Sequence, residues 1–90
     1  MKTEIIENIN TTFAKSYNDS INNGIDSHKA LDESLAVMSK TLSELGVSTD
    51  IIDSLSLECF KIFEEALADG INETEALNLV INNLKQSMIE

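Results

Sequence analysis

Sliding the chain along itself by 46 residues lays "TEIIENI" at 3–9 onto "TDIIDSL" at 49–55, and "GIDSHKAL" at 24–31 onto "GINETEAL" at 70–77. Lys15 then meets Lys61, Tyr17 meets Phe63, Asp19 meets Glu65 and Ile21 meets Leu67. Further on, Leu35 meets Ile81, Met38 meets Leu84 and Leu42 meets Met88, and no gap is needed. Apolar falls on apolar and acid on acid at most positions. A register kept over this length marks a tandem repeat, with units 3–44 and 49–90 in a single domain of residues 1–90. The fold must therefore be something that one short unit, used twice, can build.

Each unit reads as helix, tight turn, helix. In the first, Ile5, Ile9, Phe13, Tyr17 and Ile21 recur at four-residue spacing with Ile6 beside them. In the second, Ile51, Ile52, Leu55, Cys59, Phe63 and Leu67 do the same, widened by Ile62 and Ala66. Leu31, Leu35, Met38, Leu42 and Leu45, then Leu77, Ile81, Leu84 and Met88, supply the second helix of each pair. Spacings of three and four give one apolar stripe per helix, and no useful period-two run competes. The spacing predicts helices over about 3–22, 26–44, 49–68 and 73–88. The expected fold is all-α: a four-helix bundle made of two tandem helical hairpins, since one hairpin cannot bury both its stripes.

The doubled glycine motif explains itself on this reading. Gly24 and Gly70 stop a helix in the left-handed conformation, where a side chain is disfavoured. Asp26 and Asn72 cap the next helix, with Glu75 three residues beyond Asn72 and Lys29 in the matching place. Ile25 and Ile71 precede the caps, and Ala30 and Ala76 stand where a hydrophobic staple has its second partner. Gly46 closes the second helix. Thr3 and Thr49 are the expected caps of the first and third helices, each followed by acids that suit the helix dipole.

Charge and composition narrow the function. The chain has 16 acids, 6 lysines and no arginine, a net charge of −10. Direct binding to nucleic acid or to an anionic membrane needs a basic surface, which argues against both. No apolar run is long enough to span a bilayer, the N-terminus lacks a secretory pattern, and Cys59 is alone, so a cytoplasmic protein without a disulfide is expected.

The usual chemical motifs fail on residue identity. A calcium loop with Gly24 sixth would put Ile21 third and Ala30 twelfth, where oxygen ligands are required. A di-iron bundle needs Glu-x-x-His on paired helices, and the one histidine, His28, has no glutamate three residues before it. Cys59 lies mid-helix on the apolar stripe, without a cation or histidine to activate it. No serine has a paired base. Neither catalysis, a metal nor a cofactor is expected.

One segment carries a resemblance. "IIDSLSLECFKIFEEAL" at 51–67 is similar to the prosthetic-group segment of acyl carrier proteins, where Asp-Ser-Leu opens a helix. That resemblance implies a phosphopantetheine carrier modified at Ser54. It covers about 15 residues, lacks the glycine two residues before the aspartate, and lies only about seven residues after Gly46.

Function can also reside where the two copies differ. Leu57 replaces Thr11, Phe60 replaces Ala14, Leu79 replaces Glu33 and Ile89 replaces Ser43, each at or outside the edge of its stripe. The second copy is the more acidic as well: residues 46–90 carry 9 acids and 2 lysines, against 7 and 4 in residues 1–45. The expectation is a small, non-enzymatic protein–protein interaction module. Leu57, Phe60 and Leu79 would form an apolar centre. Glu64, Glu65, Asp69, Glu73 and Glu75 would form an acidic rim that steers a basic partner. The partner would be another protein or a second copy in a homodimer. Two alternatives are an acidic nucleic-acid mimic that inhibits a basic nucleic-acid-binding protein, and the carrier modified at Ser54.

Overall fold

The computed structural model describes residues 2–88. Four helices follow one another: α1 (Thr3–Asn22), α2 (Ser27–Glu44), α3 (Thr49–Ala68) and α4 (Glu73–Met88). There is no strand among the described residues. The bounds of α1 and α3 differ by the repeat length at both ends, and the starts of α2 and α4 by the same amount. The longest dimension is 34 Å. A 20-residue helix is about 30 Å long, so the bundle is one helix tall.

The turns are built identically. Gly24, Gly46 and Gly70 have φ of 83°, 88° and 84°. Each stands just past a helix end, where the following N–H reaches back five residues: Ile25 to the Ser20 carbonyl, Val47 to Leu42 and Ile71 to Ala66. The glycine N–H itself donates to Ile21, Ser43 and Leu67 respectively. These are Schellman closures, and in each the residue after the glycine is β-branched, half-buried and packed on the core. The turn thus orders the backbone and folds an apolar side chain inward in one step.

The start of each second helix is capped as the sequence predicts. Asp26 Oδ1 accepts from the Lys29 N–H at 3.0 Å, and Asn72 Oδ1 from the Glu75 N–H at 2.9 Å. The caps of the other two helices correct the expectation. Thr49 is the first helical residue and Ser48 is the cap, its Oγ accepting from the Ile51 N–H. In α1 the capping position is Lys2, with no side-chain bond, and Thr3 is already helical. A cap reaches the N–H three residues on, so Ser48 and Ile51 form the pair once Thr49 joins the helix.

α1 packs on α2 and α4, and α3 packs on α4 and α2. Exchanging α1 with α3 and α2 with α4 leaves this set of neighbours unchanged, as a two-fold relation between the hairpins requires. Tyr17 and Phe63, equivalent in the repeat, meet edge to face with centroids 6.0 Å apart. Equivalent residues in contact lie beside the axis that relates the copies, so this pair marks the centre of the join. The core agrees position by position: Ile6 and Ile52, Ile9 and Leu55, Phe13 and Cys59, Leu31 and Leu77, Met38 and Leu84, and Leu42 and Met88 are all buried.

The stripes differ from expectation at their margins. Ile51 is 55% exposed although the next residue, Ile52, is buried, so it lies on the outer margin of its stripe, and Leu45 is 48% exposed at the C-cap of α2. Val80, Ser20 and Ser34 are buried instead. Ser34 tolerates full burial by donating its hydroxyl to the Ala30 carbonyl at 3.0 Å, and Ser20 donates to Glu33 Oε2 at 2.6 Å. Both serines lie three residues from a core position, inside the stripe, and only their polarity hid them.

The matched turns give a quantitative test. A Cβ on Gly24 or Gly70 would meet no heavy atom within 4 Å, so the cost of alanine there is purely that of the left-handed backbone. Gly24→Ala and Gly70→Ala are each expected to lower stability by about 1–2 kcal/mol. Asp26→Ala and Asn72→Ala are expected to cost about 1 kcal/mol each. Urea unfolding of the four variants checks this. Unequal losses within either pair would contradict equivalent settings in the two hairpins.

Candidate interaction surface

α3 has two unlike flanks. Ile52, Leu55, Cys59, Phe63 and Ala66 are buried and fix its inward side. Away from them, Asp53, Leu57, Phe60 and Glu64 succeed one another at spacings of four, three and four, which places them in one row. Leu57 is 71% exposed, the most open large apolar side chain among the described residues, and Phe60 is 38% exposed. Two contacts show that this flank lies toward α2. Ser56 Oγ and Ser39 Oγ are 3.4 Å apart, and His28 Nε2 approaches Glu64 Oε1. The row therefore borders the α2/α3 seam, where the hairpins join.

Leu79 belongs elsewhere. It occupies the position of Glu33, which leans on α1 through Ser20. The equivalent neighbour of Leu79 is Ala66, nine residues from Leu57 and thus roughly half a revolution around α3. Leu79 is 42% exposed and sits at the α3/α4 seam rather than beside Leu57. The predicted apolar centre is therefore two places, with Leu57 and Phe60 at one of them. Ile89 lies outside the described residues.

The seam within each hairpin explains the difference at Leu79. In the first hairpin, two shallow grooves of about 320 and 330 Å³ run along α1/α2 and share Thr12. The first is lined by Ile5, Asn8, Ile9, Thr41 and Leu45 as well, and the second includes Ser16, Ser20, Glu33 and Val37. In the second hairpin the places of Ser16 and Glu33 are taken by Ile62 and Leu79. Ile62 is half-buried against the core. Larger apolar side chains fill a seam that small and polar ones leave open. Sequence comparison of the copies contained this signal, in the pairs Ser16/Ile62 and Glu33/Leu79, but it is a packing signal.

The acidic residues assigned to the rim gather at one end of the second hairpin, while Asp50, Asp53 and Glu58 lie in the first half of α3. Glu65 and Asp69 are exposed near the C-terminus of α3, and Glu73 and Glu75 are exposed in the first turn of α4. Glu73 and Glu75 suit the positive end of a helix dipole, but Glu65 and Asp69 stand at a negative end, and α3 has no basic residue in its last turn. Glu64 is half-buried beside His28, whose ring also stands edge to face on Phe63 with centroids 6.4 Å apart. These contacts tie the start of α2 to α3.

Two titratable groups are perturbed. Burial pushes the Cys59 thiol from 9.0 to about 12, helped by the charge of Glu58. Burial, and then Glu73, push the Tyr17 hydroxyl from 10.0 to about 12. The hydroxyl faces Glu73 Oε2 at 3.5 Å, long for a hydrogen bond. Neither group is poised for chemistry near neutrality, and no group of three or more His, Cys, Asp or Glu side chains suited to a metal occurs among the described residues. No described helix is long and apolar enough to cross a membrane. Ser54 is exposed but lies five residues into α3, so Asp53-Ser54-Leu55 does not open a helix as the carrier resemblance implies. No family model, curated protein or solved structure matches the chain.

The two raised values set an alkaline limit. In the unfolded chain Cys59 ionises near 9 and Tyr17 near 10, whereas folding holds both protons to about 12. The unfolded state therefore binds fewer protons across that window, and stability must fall as pH rises from about 9 to 12. Urea midpoints measured across that range are expected to decline, and Cys59→Ala should flatten the first part of the fall. Absorbance at the tyrosinate band should titrate well above pH 10, since Tyr17 is the only tyrosine.

Proposed function

We propose that the chain is a non-enzymatic protein–protein interaction module that engages its partner through the outward flank of α3. The observation that carries this reading is Leu57. An apolar side chain 71% exposed, with Phe60 one turn on in the same row, gains burial only from another molecule. The partner is another protein or a second copy of the chain. A 90-residue bundle buries a modest share of its surface and gains stability from association in either case.

The alternatives have less support. A nucleic-acid mimic is favoured by carboxylates on one continuous face. Here exposed acids occur on all four helices, among them Glu7, Asp32, Asp53 and Glu75. On α3 alone, Asp50, Asp53, Glu58 and Glu65 surround the exposed half. A carrier modified at Ser54 keeps an accessible hydroxyl in its favour and the helix start against it.

Affinity capture and solution mass test the reading together. Leu57→Glu and Phe60→Glu are expected to release a partner, or to dissociate a dimer, that the wild type holds. Leu79→Glu is expected to retain it and to show its effect as lost stability at the α3/α4 seam. A wild type that stays monomeric and retains the same proteins as Leu57→Glu removes the proposal. Intact mass after incubation with coenzyme A and a phosphopantetheinyl transferase decides the carrier reading, which requires a gain on Ser54.

A further inference from the structure

We infer that Asn23 is a site of spontaneous covalent modification, its carboxamide closing onto the backbone nitrogen of Gly24 when the first turn opens. Of the chain's asparagines, only Asn23 precedes a glycine, in the stretch "INNGID". With no Cβ on Gly24, its nitrogen is unhindered and free to swing toward the side chain before it. In the reaction the Gly24 nitrogen gives up its proton and bonds to Asn23 Cγ. The bond from Cγ to the side-chain nitrogen breaks, and ammonia leaves with that proton. Water then opens the cyclic imide at one of its two carbonyls. Breaking the new bond leaves aspartate at position 23. Breaking the original peptide bond instead leaves isoaspartate, with the side-chain carbons now carrying the main chain. One water is consumed and one ammonia released, and no other reactant is needed.

Asn23 is exposed, so water reaches it, but the folded turn keeps the reacting atoms apart. The Gly24 N–H is engaged by the Ile21 carbonyl at 3.0 Å. Asn23 has φ −89° and ψ 7°, which swings the Gly24 nitrogen away from the side chain, whereas ring closure needs that nitrogen eclipsed with Cβ. The Schellman closure must therefore break first, and the Ile25 N–H leaves the Ser20 carbonyl with it. A turn at a helix end opens more readily than the whole bundle, so this protection is finite. The second hairpin shows what each product does. Asp69-Gly70 stands in the equivalent place, with φ −82° and ψ 3° at Asp69 and the Gly70 N–H on the Leu67 carbonyl at 3.1 Å. Aspartate thus fits this turn, and hydrolysis of Asn23 makes the two turns alike. Asp69 is the poorer starting point, because a carboxylate resists attack by nitrogen. Isoaspartate lengthens the main chain, throws the closure out of register and frees Ile25 from the core on which it packs.

The test incubates the full chain at mildly alkaline pH, folded and in urea, and follows each asparagine by peptide mass spectrometry. A gain of about one dalton is expected at Asn23 ahead of every other asparagine. The gain should be slower in the folded protein by about tenfold or more. Gly24→Ala should slow it about tenfold in urea as well, where folding plays no part. Asn23→Asp should keep the wild-type circular dichroism and urea midpoint, as Asp69 does in its own turn. The isoaspartate form, separated by chromatography, should unfold at lower urea. No gain at Asn23 in either state, or an earlier gain at another asparagine, overturns the inference. Equal rates in the folded protein and in urea overturn the control by the turn. An isoaspartate form with the wild-type midpoint overturns the consequence assigned to it.

Discussion

Neither hairpin can enclose its own apolar residues, and the burial of one against the other sets everything else in the molecule. A pair of helices has one line of contact, whereas each stripe here is wide enough to face two neighbours. Ile6, Phe13 and Tyr17 on one side, and Ile52, Cys59 and Phe63 on the other, reach exposures of 6% or less only because the second hairpin closes over the first. Tyr17 and Phe63 touch at the axis of that closure. The three glycine turns serve it by fixing where each helix ends and by turning Ile25, Val47 and Ile71 inward, so that the two units arrive with the same shape. A shift of one residue in any turn would rotate a stripe by about 100° and take it off the join.

Given two units of one shape, differences between them are confined to places the join does not dictate. Phe13 faces Cys59 in the repeat, a large ring against a small thiol, and both are fully buried. The interior tolerates this because the volume lost at one site is available to neighbours from the other hairpin. Outside the join, the first hairpin keeps Ser16, Ser20 and Glu33 in its seam and hence a groove, while the second fills the same seam with Ile62 and Leu79. The copy with the closed seam is also the one with the open flank. Leu57 and Phe60 are therefore not overflow from a crowded core, since the side chains that complete the core of the second hairpin are others.

Much of the architecture was legible because it rests on period and on turn chemistry, both of which are local. Helix spacing, the three glycines, and the caps Asp26 and Asn72 each follow from a few consecutive residues. What escaped depends on exact helix phase and on packing, which period alone does not fix. Thr49 and Ser48 are both good caps, and which one joins the helix is decided by a single residue of phase. Ser20 and Ser34 are buried because they lie inside the stripe and find an acceptor, Glu33 and the Ala30 carbonyl respectively. Ile51 and Leu45 lie at the margins of their stripes, Ile51 one residue before the buried Ile52 and Leu45 at the cap of α2. Of the candidate surface, the apolar character of Leu57, Phe60 and Leu79 was visible. Their separation was not, since a helical projection says which way a side chain points but not which helix stands there.

The division of α3 into an inward and an outward flank has a consequence for how such a protein acquires a partner. Ile52, Leu55, Cys59, Phe63 and Ala66 carry its packing, whereas Asp53 and Leu57 are exposed and Phe60, at 38%, stands on the boundary. Substitution at Asp53 or Leu57 leaves the folding energy nearly untouched, because an exposed side chain has few contacts to lose. The join between the hairpins supplies a rigid ledge, α2 beside α3, at a fixed separation and angle. On the proposed reading, recognition would be a matter of which side chains stand on that ledge. A net charge of −10 meanwhile gives the bundle a solvating shell that keeps copies of it apart in solution.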